Sequence, residues 1–434
     1  MIISQYEPME IQKGIYFDCQ IRSSIAYNMS VAISMMGLDI VTFEDSIKLL
    51  IEEQEALRSA VKIDTDGLPV MVVYDNVNFE LEIMSTEISN SEDEGIKKII
   101  KLELSKEIDL YSAPLFRTKI IKLLNEQYVF ILCIHHIIAD GTSVNILIKK
   151  LFKYYEKLSV NKTMTCSSDS GYADFSIREN ERVKIGKYEA QKKYWTNKMS
   201  NIASSLLQKD FKNKSSVKCI GVEKRLYISN QIQEKIYRLA AEQEVSTFMF
   251  CLGVFGVLIH KYYTINERSV ISIPFSYRLD EKVEETIGCF VAMLPFQFDI
   301  KADYTFSAVI QKVRMELITV YSNIGYPINL VLRNNNSMSL LERSSVFNVS
   351  FVYDKQDDVV KTGLLPILIE QDDVAFSGNL IFTLFDGVDG FHFKIQYKQD
   401  VFSNEVIEHM GKRFVELLEL LLDNPYICLS DVLN

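Results

Sequence analysis

A chain of 434 residues with 48% hydrophobic and 24% charged side chains, 17 Gly and 8 Pro has the composition of a folded globular protein, which excludes a disordered or collagen-like chain. Its length exceeds the roughly 250 to 300 residues at which a single core usually stops growing, so two lobes are expected. A formal charge of -11 without clusters of Lys and Arg excludes a nucleic-acid footprint. The seven scattered cysteines (Cys19, Cys133, Cys166, Cys219, Cys251, Cys289, Cys428) contain no C-x-x-C pair, so neither a disulfide framework nor a metal site is indicated.

The N-terminus, MIISQYEP, lacks the basic start and apolar core of a signal peptide, and a cytoplasmic address is expected. Thr42 with Asp45 marks a helix start. Phe43, Ile47, Leu50, Ile51 and Leu57 then recur at helical spacing, predicting a helix over 43–60. Val70 to Tyr74 and Phe79 to Ile83 read as strands around Asn76 and Asn78, followed by a helix over 94–105. Leu115 to Leu124 and Tyr128 to Ile134 flank Asn125-Glu126-Gln127 as a hairpin whose second arm, YVFILCI, is apolar throughout and therefore central and buried. HHIIADGTS follows, and then Ile146, Leu147, Leu151, Tyr154, Tyr155 and Leu158 form a helical stripe, with Ser143 read as its cap. The polar run from Asn161 to Gly171 is the expected exposed connection. The lobe boundary is placed at 176, giving lobes of 1–176 and 177–434. In the second half, helices are expected at 187–200, 230–243, 247–262, 306–322 and 404–423. Strands are expected at 218–228, 269–274, 290–299, 346–353, 379–385 and 391–398. The longest apolar run, Phe248 to Ile259, is short of the roughly 20 residues that span a bilayer and reads as a buried helix, so no membrane is expected. Helices and strands mix in both halves, so the class is α/β or α+β in two lobes.

The chain holds five histidines, and two of them, His135 and His136, are adjacent where the buried strand ends. Adjacent residues at a strand end point to opposite faces, so one can face a cavity while the other supports the loop. Histidine takes a proton near neutral pH, with an unperturbed pKa of about 6.5, and an amine attacking a carbonyl must lose one. Asp140, if buried, needs a cation, and Gly141 permits a tight turn or the close approach of a thin ligand.

HHIIADG closely resembles the HHxxxDG signature of nonribosomal peptide synthetase condensation domains, a branch of the chloramphenicol acetyltransferase-like superfamily. Further matches keep the family's order. MEIQKGIYF (9–17) is similar to S-x-A-Q-x-R-L-W, with Lys13-Gly14 near the Arg position, and EEQEALRSAV (52–61) resembles R-H-E-x-L-R-T-x-F, keeping Glu55, Leu57 and Arg58. Tyr172-Ala173-Asp174-Phe175 is similar to Y-x-D-Y, and Tyr194-Trp195 to the Y-W after it. SIPFSYR (272–278) and IGCFVAMLPFQ (287–297) resemble G-T-P-V-x-x-R and I-G-x-F-V-N-T-L. NLIFTL (379–384), DVFSNEVIEHM (400–410) and LLDNPYICLSDVL (421–433) resemble the closing stretch, so the likeness covers essentially the whole chain.

This resemblance implies two chloramphenicol acetyltransferase-like lobes forming a V-shaped pseudo-dimer with a central tunnel, the second lobe carrying a latch. Donor and acceptor carrier proteins would bring an acyl or peptidyl thioester and an amine on phosphopantetheine arms, with no cofactor of the domain's own and no metal. An adenylation domain would follow, and a monomer is expected. His136 matches the second histidine, which accepts the proton or positions the amine, and His135 the first, largely structural one. Asp140 matches the Asp that pairs across the lobes with the Arg at Arg278, and Gly141 would lie beside the tunnel. Arg58 is a supporting residue, and Ser143, Thr142, Ala292 and Asn379 are candidate tunnel residues. Thr142 replaces a frequent Trp, Ala292-Met293 an Asn-Thr pair, and Asn379 an Asp, so substrate range is where this chain departs from the pattern. Asn323, where the family often has a His, is not read as a site.

Both histidines are present where a heterocyclisation domain has DxxxxD, and the E-G-H-G-R-E pattern of epimerisation domains is missing. No G-x-S-x-G elbow, P-loop or H-E-x-x-H occurs. The alternatives are a freestanding acyltransferase that makes an ester or amide from an acyl thioester, and a noncatalytic carrier-binding platform.

Overall fold

The computed structural model describes residues 1–434 except 22–23, 92, 161–170, 201–220, 264–267, 336–345, 356–364, 367–377, 388–389, 400 and 434. The chain divides into two compact units, one of Met1–Lys187, Ser276–Ala292 and Val359–Ile369, the other of Tyr188–Phe275, Met293–Asp358 and Glu370–Asn434. The first unit runs past the boundary expected at 176, because an unbroken helix, Gly171–Lys184, crosses that position. It also takes back 276–292, which the sequence reading gave to the second lobe. Most of the connection expected at 161–171 lies outside the described residues.

The first unit begins with β1 (Ile2–Tyr6), α1 (Glu10–Ile21), β2 (Asn28–Met36), α2 (Ile40–Glu53), β3 (Ser59–Ile63) and β4 (Pro69–Tyr74). It continues with β5 (Glu82–Ser85), α3 (Glu94–Leu104), β6 (Phe116–Lys122), β7 (Gln127–His135), α4 (Gly141–Ser159) and α5 (Gly171–Lys184). The second unit holds α6 (Glu189–Ser200), β8 (Gly221–Ile228), α7 (Asn230–Glu242), α8 (Thr247–Tyr263), most of β9 (Arg268–Ser276) and of β10 (Val291–Asp299), α9 (Phe306–Ser322), α10 (Ile328–Asn334) and β11 (Val349–Lys355). A two-residue strand, β12 (Leu365–Pro366), belongs to the first unit. β13 (Leu380–Gly387), β14 (Gly390–Lys398), α11 (Asn404–Asp423) and α12 (Leu429–Leu433) complete the second.

Three sheets form, in the orders β1-β4-β3, β12-β2-β7-β6-β5 and β10-β9-β11-β13-β14-β8. The apolar YVFILCI strand is β7, central in its sheet, antiparallel to β2 on one side and to β6 on the other, and every residue from Tyr128 to His135 is buried, so side chains on both of its faces are covered. The β6–β7 hairpin turns at Asn125 and Glu126, both at positive φ (60° and 54°), with Asn supplying a residue type that tolerates that region. The helix expected over 43–60 is shorter. Asp39 caps it by accepting from Val41 N–H at 3.2 Å, so it starts before Thr42, and extended backbone at Gln54 ends it. Glu55–Arg58 then form a 3-10 turn that leads into β3. The strand expected at 79–83 falls at β5, parallel to β6.

Phe43 joins α2, α4 and β7. Its ring lies 5.0 Å from Phe130, 5.9 Å from Phe152 and 5.7 Å from Tyr155, with no exposed surface. In the second unit, Phe255 of α8 packs against Phe351 and Phe382 of the large sheet, and Phe382 against Phe414 of α11. The apolar run 248–259 is thus a core helix, and among the described residues no single helix is long and apolar enough to cross a bilayer. Phe43→Ala is expected to cost about 3–5 kcal/mol of stability by chemical denaturation, since three aromatic neighbours border the space it leaves. A loss below about 1 kcal/mol would mean that the site collapses freely.

Candidate active site

β7 ends at His135, and the next residues pin the turn that follows. His135 N–H donates to Leu115 O at 3.0 Å, His136 N–H to Tyr27 O at 2.8 Å, and Ile138 N–H to His135 O at 3.1 Å. Gln12 of α1, fully buried, accepts from Met9 N–H and donates from Nε2 to Ile137 O at 2.8 Å. α1 therefore grips the histidine loop, a role the sequence reading did not give to Gln12 although the residue lies in a quoted motif.

The two imidazoles occupy different surroundings. His135 is fully buried, and its Nδ1 accepts the Ile137 N–H at 3.1 Å, so its proton sits on Nε2, 3.8 Å from Cys19 Sγ. Burial, and then the neighbouring His136, push its pKa down to about 3, so it is neutral at pH 7. Burial, and then Asp18, push the Cys19 thiol up to about 12, so that neighbour is neutral as well. His136 is half-buried, and the ring contact recorded for it is Cys289 Sγ, 3.8 Å from Nδ1.

Asp140 has no exposed surface and satisfies four contacts. Oδ1 accepts from Ser143 N–H at 2.7 Å, from Ser143 Oγ at 2.7 Å and from Arg278 Nη2 at 3.3 Å, while Oδ2 accepts from Phe290 N–H at 3.1 Å. Asp140 is therefore the N-cap of α4, the place the sequence reading gave to Ser143. Arg278 is the expected partner, but Arg278 and Asp140 belong to the same unit, so the pair does not join the lobes as the resemblance implied. The reason is the return of 276–292 to the first unit. Arg278 also donates from Nη1 to Val283 O (2.7 Å) and Thr286 O (2.6 Å), and its guanidinium lies 4.0 Å from the Phe290 ring centre.

Ser143 is fully buried, where a tunnel residue was expected. Its Oγ accepts from Arg278 Nη2 (2.7 Å) and Gly288 N–H (3.1 Å), and its proton is shared between Asp140 and Gly288 O (2.8 Å). Gly141 and Thr142 are exposed, and a Cβ on Gly141 would meet nothing within 4 Å among the described residues. Arg58 is buried and donates to Ile51 O at 3.1 Å and Tyr74 O at 3.4 Å, closing the C-terminal end of α2. Glu55 accepts the Ala173 N–H at the start of α5, so each residue supports a helix end. Ala292 is buried at the end of the returning segment. Asn379 lies in the second unit, exchanging backbone hydrogen bonds with Asn348 and Lys398, and is not part of the His135–Asp140 cluster. Asn323 ends α9, its carbonyl accepting from Trp195 Nε1 at 2.8 Å. Among the described residues no three His, Cys, Asp or Glu side chains gather as metal ligands.

The sequence model of the condensation domain matches residues 3–433. The chain belongs to the condensation domain family. It is 25% identical over 416 residues to gramicidin S synthase 2 of Aneurinibacillus migulanus and 26% identical over 431 residues to bacitracin synthase 1 of Bacillus licheniformis. The matches cover 94% and 98% of this chain but span 9% and 8% of those proteins. The fold of this condensation domain is similar to that of the first condensation domain of the calcium-dependent antibiotic synthetase, solved in complex with a substrate analogue. The TM-score is 0.84 at 14% identity, covering 99% of this chain and 98% of the other. The resemblance read from HHIIADG and the motifs around it is thus the family itself.

Two expected outcomes follow from the buried groups. His135 titrates near 6.5 when unfolded and near 3 when folded, so between those values the unfolded chain binds the extra proton and stability falls as pH drops. Denaturation midpoints measured from pH 7 to 4 will show this slope, up to about 1.4 kcal/mol per pH unit, and His135→Gln will remove it. An unchanged slope in the variant would assign the acid sensitivity elsewhere. Separately, Arg278→Ala leaves Asp140 as an uncompensated buried charge and is expected to cost about 3–5 kcal/mol, measured by denaturant titration.

Proposed function

We propose that this condensation domain joins a carrier-bound acyl or peptidyl thioester to the amine of a carrier-bound acceptor. The observation that carries the reading is the inequality of the two histidines: His135 is sealed and neutral, while His136, one residue on, remains half-buried with its backbone fixed. In the proposed step the acceptor nitrogen forms its bond to the thioester carbonyl carbon, His136 takes the proton lost by that nitrogen, and the carbon–sulfur bond breaks. The proton then passes to the departing phosphopantetheine thiolate, so the thioester supplies the activation. An acyltransferase using free amines, alcohols or coenzyme A thioesters is the competing outcome of the experiment below.

Gly141 supports the approach of a thin arm. Its φ lies outside the left-handed region and, among the described residues, no atom would crowd a Cβ there, so neither the backbone nor the described packing calls for glycine at this first position of α4. The constraint that remains is a ligand passing close to the backbone. The pantetheine arm of a carrier is the ligand proposed for that space. Adenylation and carrier domains are the partners proposed for this domain.

The test is intact-protein mass spectrometry of carrier proteins charged with a panel of acyl and aminoacyl thioesters. Wild type is expected to give an acyl-aminoacyl adduct, and His136→Ala to lower its rate by about 10²-fold or more. Adducts formed only with free amines, alcohols or coenzyme A thioesters would replace this reading with the acyltransferase. Gly141→Val is expected to raise the apparent KM for charged carriers while leaving the melting temperature unchanged. An unaltered KM would remove Gly141 from the path of the arm.

A further inference from the structure

Residues Thr286 to Val291 run as a strap over the first turn of α4, fixed on both sides of Cys289. Gly288 N–H donates to Ser143 Oγ at 3.1 Å and its carbonyl accepts from that hydroxyl at 2.8 Å, while Phe290 N–H donates to Asp140 Oδ2 at 3.1 Å. The carbonyl of Cys289 accepts from Tyr172 OH at 2.9 Å. Gly288 is needed for this approach, since a Cβ there would sit 2.0 Å from the Tyr172 ring. The Cys289 side chain, fully buried, is thereby aimed at His136, with Sγ 3.8 Å from Nδ1. Burial, and then the charge of Asp140, hold the thiol well above its ordinary pKa, so it is neutral and unsuited to be a nucleophile.

An imidazole that takes a proton through Nε2 must carry its own on Nδ1, and which nitrogen is protonated is set by the hydrogen bond that the other makes. Among the described residues, Cys289 Sγ is the hydrogen-bonding group placed against the His136 ring. Asp140 does not reach the ring, both of its oxygens being committed to Ser143, Arg278 and Phe290. We propose that Cys289 is the positioning residue for His136: its sulfur accepts the Nδ1–H, fixes ring and tautomer, and leaves the Nε2 lone pair for the acceptor amine. Asp140, Ser143 and Tyr172 then act on the histidine at one remove, by holding the strap that carries the sulfur. A thiol is a weak acceptor, so the contact orients the ring without stabilising its charged form as a carboxylate would.

This rests on the condensation reading only for its kinetic part. The experiment is side-chain nitrogen NMR of the full chain labelled in histidine, with His136 assigned through His136→Gln, alongside condensation kinetics. Wild type is expected to show the Nδ1–H tautomer. Cys289→Ala is expected to shift the ring toward Nε2–H and to lower kcat about 10-fold with little change in KM, and Cys289→Ser to recover both tautomer and rate. A wild-type ring already in the Nε2–H form would overturn the assignment, as would a folded Cys289→Ala or Cys289→Ser protein that loses rate while its tautomer stays put. Because the tautomer is read without substrate, a chain that condenses nothing sinks the proposed function and leaves the Cys289 assignment to be decided by NMR alone.

Discussion

A carboxylate without exposed surface can persist in a protein only if its charge and both oxygens are answered, and Asp140 is the group around which the first unit's site is arranged. Its cation comes from Arg278, and its hydrogen bonds come from the first turn of α4 and from the strap at Phe290. One side chain thus sets where the helix begins, where the strap lies and which loop carbonyls Arg278 ties down. The aspartate of the signature is a structural keystone in the same loop as His136, the histidine proposed to react, and its oxygens are committed to Ser143, Arg278 and Phe290.

That arrangement differs from a serine–histidine–aspartate triad, in which the carboxylate touches the imidazole and stabilises its charged form. Here the carboxylate has no hydrogen bond to either imidazole among the described residues, and its charge is matched by a guanidinium. The side-chain hydrogen-bonding groups placed against the two rings among the described residues are thiols, Cys19 at His135 and Cys289 at His136, both held neutral by burial. A neutral setting suits the proposed step, in which the base releases its proton again to a departing thiolate.

The elements with strong periodicity were legible in the sequence. The five helices expected in the second half lie within two residues of α6, α7, α8, α9 and α11, and continuous apolarity marked β7 as central. α5 escaped notice because its exposed face is dense in charge and the buried residues Tyr172, Phe175, Ser176 and Glu179 make a mixed stripe. The start of α2 was misread because Thr42 and Asp39 are both capping residue types, and only geometry shows which one accepts backbone N–H groups. In the site, the adjacency of His135 and His136 at a strand end, together with the likeness of HHIIADG to the family signature, singled out His135, His136 and Asp140. Ser143 was misassigned because a serine in a first helical turn looks like a cap or an exposed hydroxyl, whereas here it is packed beneath the strap. Cys289 had no signal of its own, since a lone cysteine in an apolar run reads as core, and its place against His136 depends on a segment that returns from 150 residues away.

That return also shapes how the chain is made. The partner of Asp140 is encoded 138 positions later. At synthesis rates of about 5–20 residues per second, α4 waits on the order of 10 s before Arg278 is available. Until then Asp140 has its local Ser143 contacts but lacks Arg278, and the strap that Gly288 and Phe290 fix over α4 is not yet made. A fragment ending at Lys187 would lack both Arg278 and the strap. The two units are therefore not independent in the order of their completion, and the boundary between them is no place to cut the chain.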